Sequence, residues 1–360
     1  MDTLELISRL SRLPGPSGFE DAVALAIRAE LDDVAGTWES DALGNLVLRL
    51  PAPDDAPVLL LTAHMDEVGL LVKYVADDGM LSCAAIGMID ERTLPAARVE
   101  IWTDDGPVLG VVGSKSRHMV SAADLAAAPA VQDLWIDVGA GSAAEVAELG
   151  VRVGQPATTV SPPTRLGRRL TSKAIDDRAG CAVLIEVARA VADAARDYAL
   201  VFAWTVQEEV GSRGARVLGQ WLPATAAIVV DTTPAGDRTT PAHLATAVVG
   251  GGPVIRAHDT RGTMGTFYSV AVRRRLESLA ERFQVDSYPT WTDACEIHLA
   301  GRGVATGGVF LPRRCSHSPS EVIDLADVEA AIELLTRFCD VDAATLSALA
   351  QRPAHPLVLA

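Results

Sequence analysis

Residues 58–69 read VLLLTAHMDEVG, an apolar run followed without a spacer by a histidine and two acids. A run that does not alternate with polar residues is covered on both faces, which makes it a central strand of an α/β sheet. Ligands bind at the carboxyl edge of such sheets, so His64, Asp66 and Glu67 stand where chemistry is expected. Upstream, NLVLRL (45–50) reads as a second strand, and residues 2–13 and 20–34 as amphipathic helices joined by the turn-rich PGPSG. Downstream, from residue 177, helix and strand patterns resume: a helix over 177–195, strands ALVFAWTV (199–206) and AAIVVD (226–231), a helix over 269–283, a strand VATGGVFL (304–311) and a helix over 326–339. Together these predict an α/β sandwich, a mixed central sheet with helices on both faces.

The texture changes between residues 72 and 163. Short alternating runs with Gly/Asp turns, such as ARVEIWTDDGPVLGVVG (97–113), are relieved by one short helical stretch, SAAEVAELG (142–150), and by an alanine-rich segment, AADLAAAPA (122–130), read as a loop or short helix. We expect a β-rich insertion over 72–163 within a catalytic domain made of 1–71 and 164–360.

Composition removes several classes of function. Among 360 residues, 31 basic against 47 acidic side chains leave a formal charge of −16, which repels phosphate backbones and anionic membrane surfaces, so neither nucleic acid nor membrane is an expected partner. Five cysteines without CxxC spacing argue against a disulfide framework and a cysteine-type zinc knuckle. No run reaches the roughly 18 apolar residues of a membrane span. The N-terminus, MDTLELISRLSRLPG, lacks a basic and then apolar export signal. We expect a cytoplasmic protein.

Within WTVQEEVGSRGA (204–215), Glu208 and Glu209 follow an apolar run that looks buried. Two adjacent carboxylates there repel each other and lose hydration unless a cation sits between them. The partners such a cation needs lie at other strand ends: His64, Asp231 and His317, with Asp176 and Asp177 just before a helix. Each alone also has a structural reading, as a satisfied histidine or a helix cap; five converging on one sheet edge favour use. Two imidazoles and three carboxylates hold two divalent ions about 3.5–4 Å apart when one carboxylate bridges them. We assign Asp176 as the bridge, with His64 and Asp231 on one ion and Glu209 and His317 on the other. Such a donor set suits zinc, with cobalt or manganese as substitutes. Glu208 is then free to move protons as general base and acid, and Asp66 is placed to accept the other ring N–H of His64.

The blocks HMDEVG (64–69), SKAIDDRAGC (172–181), QEEVGSRGA (207–215), VVDTTPAGD (229–237), GGGPVIRAHD (250–259), TDACEIHLAGRGVATGGV (292–309) and HSPSEVIDLADVEAAIELL (317–335) resemble, in order over nearly the whole chain, those of the tetrahedral (TET) aminopeptidases. These are the glutamyl and deblocking aminopeptidases, some of which have been labelled endoglucanases or cellulases. The resemblance implies a zinc-peptidase-like three-layer sandwich and the same site assignments. It further implies that the insertion is a small barrel-like domain used in dimerisation, and that dimers build a hollow dodecamer acting on peptide substrates. One departure is local: a YIHSP-like block is expected before the last histidine, where this chain has Cys315 and Ser316. Cys315 is expected to be a small buried thiol, and His118 a surface or structural residue. Alternatives are a related di-zinc carboxypeptidase or amide deacylase, and a non-catalytic assembly subunit of the same fold. Glycoside hydrolysis needs an aromatic-lined cleft, and 4% aromatic residues supply little of one.

Overall fold

A computed structural model of the chain describes residues 2–121, 128–236, 239–241, 243–259 and 265–351. Most of the alanine-rich segment 122–130 lies outside them. The expected sandwich forms around an eight-stranded mixed sheet. Its strands, in spatial order, are β1 (Thr37–Ser40), β2 (Leu46–Arg49), β12 (Ala199–Thr205), β3 (Val58–His64), β13 (Ala226–Pro234), β16 (Ala305–Arg313), β14 (Val254–Asp259) and β15 (Gln284–Tyr288). The run β12-β3-β13-β16 is parallel, so these four strands end at one edge.

Every residue of β3 is buried, and its two faces enter different cores. Leu59, Leu61 and Ala63 pack with Leu6, Leu10, Ile27, Leu184 and Leu335 from α1 (Thr3–Arg12), α2 (Asp21–Glu30), α4 (Ile175–Val191) and α8 (Leu325–Phe338). Val58 and Leu60 pack on the opposite face with Ala215 and Leu218 of α5 (Arg213–Trp221) and Ile297 of α7 (Ala294–Ile297). The period-2 pleat thus explains why an apolar run without alternation belongs here: both faces carry helices. Truncating Leu61 to Ala would cost about 2–5 kcal/mol at such a site.

The insertion closes into a six-stranded barrel, in the order β4 (Gly69–Val75), β5 (Leu81–Ile86), β8 (Trp135–Asp137), β7 (Gly106–Gly113), β6 (Arg98–Thr103) and β9 (Pro156–Thr159). Closure removes the unpaired edges that short antiparallel strands otherwise expose. Its interior is a separate core containing Val72, Leu81, Val99, Ile101, Val112 and Ile136. A short α3 (Ala143–Glu148) forms as expected, capped by Ser142. Beyond the barrel, β10 (Thr164–Leu166), β11 (Arg169–Ser172) and β17 (Glu321–Asp324) form a three-stranded sheet. The remaining helices are α6 (Val270–Leu279) and α9 (Ala343–Ala350). Strands β14 and β15 were not expected: the polar QVDSY of β15 sits at the sheet edge, where one half-exposed strand lacks an apolar signature.

Candidate metal centre

Residue His64 ends β3, opposite Thr205 at the end of β12, and Asp231 lies within β13 three residues before its end. The parallel strands therefore bring an imidazole and a carboxylate together, with His64 Nε2 at 3.8 Å from Asp231 Oδ1. Residues Asp176 and Asp177 open α4 with non-helical dihedrals and are joined by a cis peptide bond. Their roles divide. Asp177 accepts the N–H of Gly180 at 3.0 Å, the cap that acids before a helix ordinarily make, while Asp176 turns toward the sheet edge. One oxygen of Asp176 lies 3.4 Å from His64 Nε2, and the other 3.2 Å from His317 Nε2. His317 comes from the loop after β16, and its Nε2 is 3.4 Å from Glu209 Oε1. Glu209 Oε1 is buried without a hydrogen-bond partner among the described residues.

Among the described residues, two groups of metal-capable atoms result, each with its members within 4.8 Å of one another: His64, Asp176 and Glu209, and His64, Asp177 and Asp231. Buried imidazoles and carboxylates with an orphaned oxygen between them fit one or more divalent cations. Electrostatics point the same way. Burial pushes Glu208 and Asp231 well above the ordinary carboxylate range, with His64 opposing and neighbouring acids adding to the effect. Burial also lifts Glu209 to about 7. Burial lowers His317, but the charges and hydrogen bonds of Glu209 and Asp176 outweigh it and hold the imidazole up at about 9. Acids that resist ionisation beside imidazoles that retain protons describe a basin short of positive charge.

The residues between Glu208 and the strand depart from expectation in detail. Strand β12 stops at Thr205, and Gln207 takes a left-handed backbone with φ of 56°, so strand alternation does not separate Glu208 from Glu209. Asp66 does. Its Oδ1 accepts the N–H of Glu208 at 2.9 Å and its Oδ2 that of Glu209 at 3.0 Å, with Ser17 Oγ donating at 2.6 Å. The same carboxylate stands 3.3 Å from His64 Nδ1. Burial would raise Asp66, but the hydrogen bond and charge of His64 outweigh it and hold the carboxyl low. The Glu208 side chain accepts from the hydroxyl of Ser212 at 3.4 Å.

Several residues escaped the sequence reading. The buried Arg313 donates to Thr232 Oγ1 at 2.5 Å, to Glu321 Oε1 at 2.5 Å and to Asp176 Oδ2. Glu321 accepts the backbone N–H of Asp176 at 3.0 Å and that of His317 at 2.8 Å. An arginine ending an apolar strand, in VFLPRRCS, was the available signal. Cys315 is exposed, not buried: its left-handed φ of 57° in the loop after β16 turns the thiol outward, away from any core. His118 is exposed on a short 3-10 turn of the insertion. The site opens into a cavity of about 710 Å³, whose far wall is Tyr288, Pro289, Thr290 and Trp291. Met88 of the barrel-bearing insertion lines it too, and its carbonyl faces His317 Nδ1 at 2.8 Å.

Known proteins share this fold. A family profile described as M42 glutamyl aminopeptidase matches residues 44–334. The lysyl aminopeptidase of Pyrococcus furiosus is 31% identical over 339 residues, covering 92% of this chain and 94% of that protein. The structure of an aminopeptidase from the archaeon Desulfurococcus kamchatkensis superposes with a TM-score of 0.92 at 33% identity, over 98% of this chain and 99% of that one. The TET1 peptidase of Pyrococcus horikoshii, which can assemble into a tetrahedron or a large octahedral shell, gives 0.84 at 30% identity, over 94% and 99% of the two chains. A metal-dependent aminopeptidase is what the matched profile, the relatives and the acid-and-histidine basin have in common, and the chain belongs to the M42 glutamyl aminopeptidase family.

Proposed function

We propose that the chain removes N-terminal residues from short peptides at a centre of two divalent ions, zinc by preference of the donor set, with cobalt or manganese as substitutes. His64 and Asp231 would hold one ion, Glu209 and His317 the other, and Asp176 would bridge them. One observation carries this reading: the two oxygens of Asp176 face different histidines, at 3.4 and 3.2 Å, as a shared ligand requires. When bound, such ions lower the pKa of water and polarise the scissile carbonyl. Glu208 is the side chain free to take the proton of the attacking water and return it to the departing amine. Buried at the cavity floor, it is held by Ser212 and diverted from Glu209 by Asp66. Asp66 fixes the His64 ring. The cavity wall of Tyr288 to Trp291 would receive the N-terminal side chain.

We further propose that residues 72–163 serve dimerisation, that dimers assemble into a tetrahedral dodecamer and that the enzyme works in the cytosol on peptides left by other proteases. Support comes from the shells formed by the Pyrococcus horikoshii relative and from the closed barrel in that region. The test is hydrolysis of a panel of aminoacyl p-nitroanilides and of N-acyl amino acids, with and without chelator, alongside metal analysis. Chelator-sensitive release from the anilides alone is expected. Cleavage of only the N-acyl substrates would move the assignment to a deacylase.

A further inference from the structure

Two buried carboxylates that are not assigned as ligands make the same pattern of contacts on opposite sides of the centre. Asp66 takes the backbone N–H groups of Glu208 and Glu209, one on each oxygen. Glu321, only 1% exposed, takes the N–H of His317 on Oε1 at 2.8 Å and that of Asp176 on Oε2 at 3.0 Å. Asp176 and His317 are 141 residues apart in sequence and come from the start of a helix and a loop. A single carboxylate therefore sets the spacing between the shared ligand and the ligand unique to one ion. Its own position is fixed from both sides, because Glu321 begins β17, paired to β11, and Arg313 donates to Oε1 at 2.5 Å. The same guanidinium reaches Asp176 Oδ2 and Thr232, so the two carboxylates are tied through one cation. His317 sits at φ 54°, a left-handed conformation that is strained for a non-glycine residue and persists only where its surroundings enforce it. The Glu321 bond to its N–H is such an enforcement.

We propose that Glu321, braced by Arg313, is a positioning residue that builds the half of the centre made by Glu209 and His317. This rests on the two-ion reading above. Hydrogen-bonded supports of metal ligands change metal affinity by about 10–100-fold when removed. Glu321→Gln offers one acceptor for two N–H donors, so one clamp bond is lost while volume is kept. Glu321→Asp keeps the charge but is one methylene too short to hold both.

The experiment is zinc titration of wild type and both variants against a chromophoric chelator, with metal counted by mass spectrometry and folding checked by circular dichroism. Wild type is expected to bind two ions. In each variant the ion proposed at Glu209 and His317 is expected to bind about 10–100-fold more weakly, and the ion at His64 and Asp231, which shares only Asp176 with it, to weaken less. Saturating zinc should restore most of the kcat lost at limiting zinc, a rescue that a general packing defect would not show. Wild-type affinity at both sites in the variants, or equal weakening of both sites without rescue, overturns the inference. Wild type binding fewer than two ions would instead refute the two-ion centre. Should Glu321→Gln not fold, Glu321→Asp reads the same outcome.

Discussion

Replacing Asp66 with Asn tests how far the centre depends on a residue that is not proposed to touch metal. The carboxylate accepts from Glu208 N, Glu209 N and Ser17 Oγ and faces His64 Nδ1. An amide retains one acceptor oxygen and places an NH₂ where the other stood. The least costly orientation puts the NH₂ toward Ser17, whose hydroxyl can turn round and accept, but the Glu209 N–H beside it then meets a donor. One buried N–H left unpaired costs about 1–3 kcal/mol, and the surviving bonds lose their charge assistance, together about 2–5 kcal/mol. Part of this falls on Glu209 and His64, both proposed ligands, so zinc affinity should drop about 10–100-fold, or 1.4–2.7 kcal/mol of the total. Competition with a chromophoric chelator measures that affinity, and kcat/KM on aminoacyl p-nitroanilides at limiting and saturating zinc reads its consequence. Undiminished zinc affinity in a folded Asp66→Asn protein would show that the clamp does not hold the ligands.

Glu208→Gln should retain its bound metal by elemental analysis while kcat falls about 10²–10⁴-fold, the usual worth of a positioned general base. Glu20, raised to about 7 chiefly by burial and then by the Asp66 charge, accepts from Gly18 N and Gln207 N through a single oxygen that an amide can replace. Its native state binds the proton more tightly than the unfolded chain, whose value is near 4.5, so stability declines as pH rises from about 4.5 to 7. Glu20→Gln is therefore expected to be neutral near pH 4.5 and stabilising by about 1–3 kcal/mol above pH 7, read from melting temperatures at both ends. A Cβ at Gly180 would fall 2.3 and 2.4 Å from the oxygens of Asp177, so Gly180→Ala should break that cap and lower the unfolding free energy by about 1–3 kcal/mol in urea titration.

The architecture was legible where burial was complete. Strands β3, β12 and β13 show apolar residues at nearly every position because helices cover both faces, and α4 and α8 repeat apolar residues at helical spacing. From its own residues the barrel was legible as β-rich texture, and its barrel form came from the family resemblance, since closure depends on which short strands pair and spacing does not encode that. Edge strand β15 was hidden by its polar sequence. At the site, His64, Asp176, Glu209, Asp231 and His317 announced themselves by standing next to apolar strands or a helix start, and the structure brings all of them to one sheet edge. Arg313 and Glu321 did not, because their work is to hold backbone N–H groups and a neighbouring carboxylate, which depends on three-dimensional neighbours and not on local pattern.

The residues just past β5 reach back to the wall of the cavity: Met88 offers its carbonyl to the His317 ring, and Asp90 N–H donates to the His317 carbonyl at 3.0 Å. Gly87, at φ 71°, packs so closely on Glu209 that a side chain there would meet its Cβ at 3.2 Å. An inserted module ordinarily drifts in evolution at its own pace. This one is tied to His317, a proposed metal ligand, through both its ring and its main chain, so whatever displaces the segment just past β5 displaces that side chain with it.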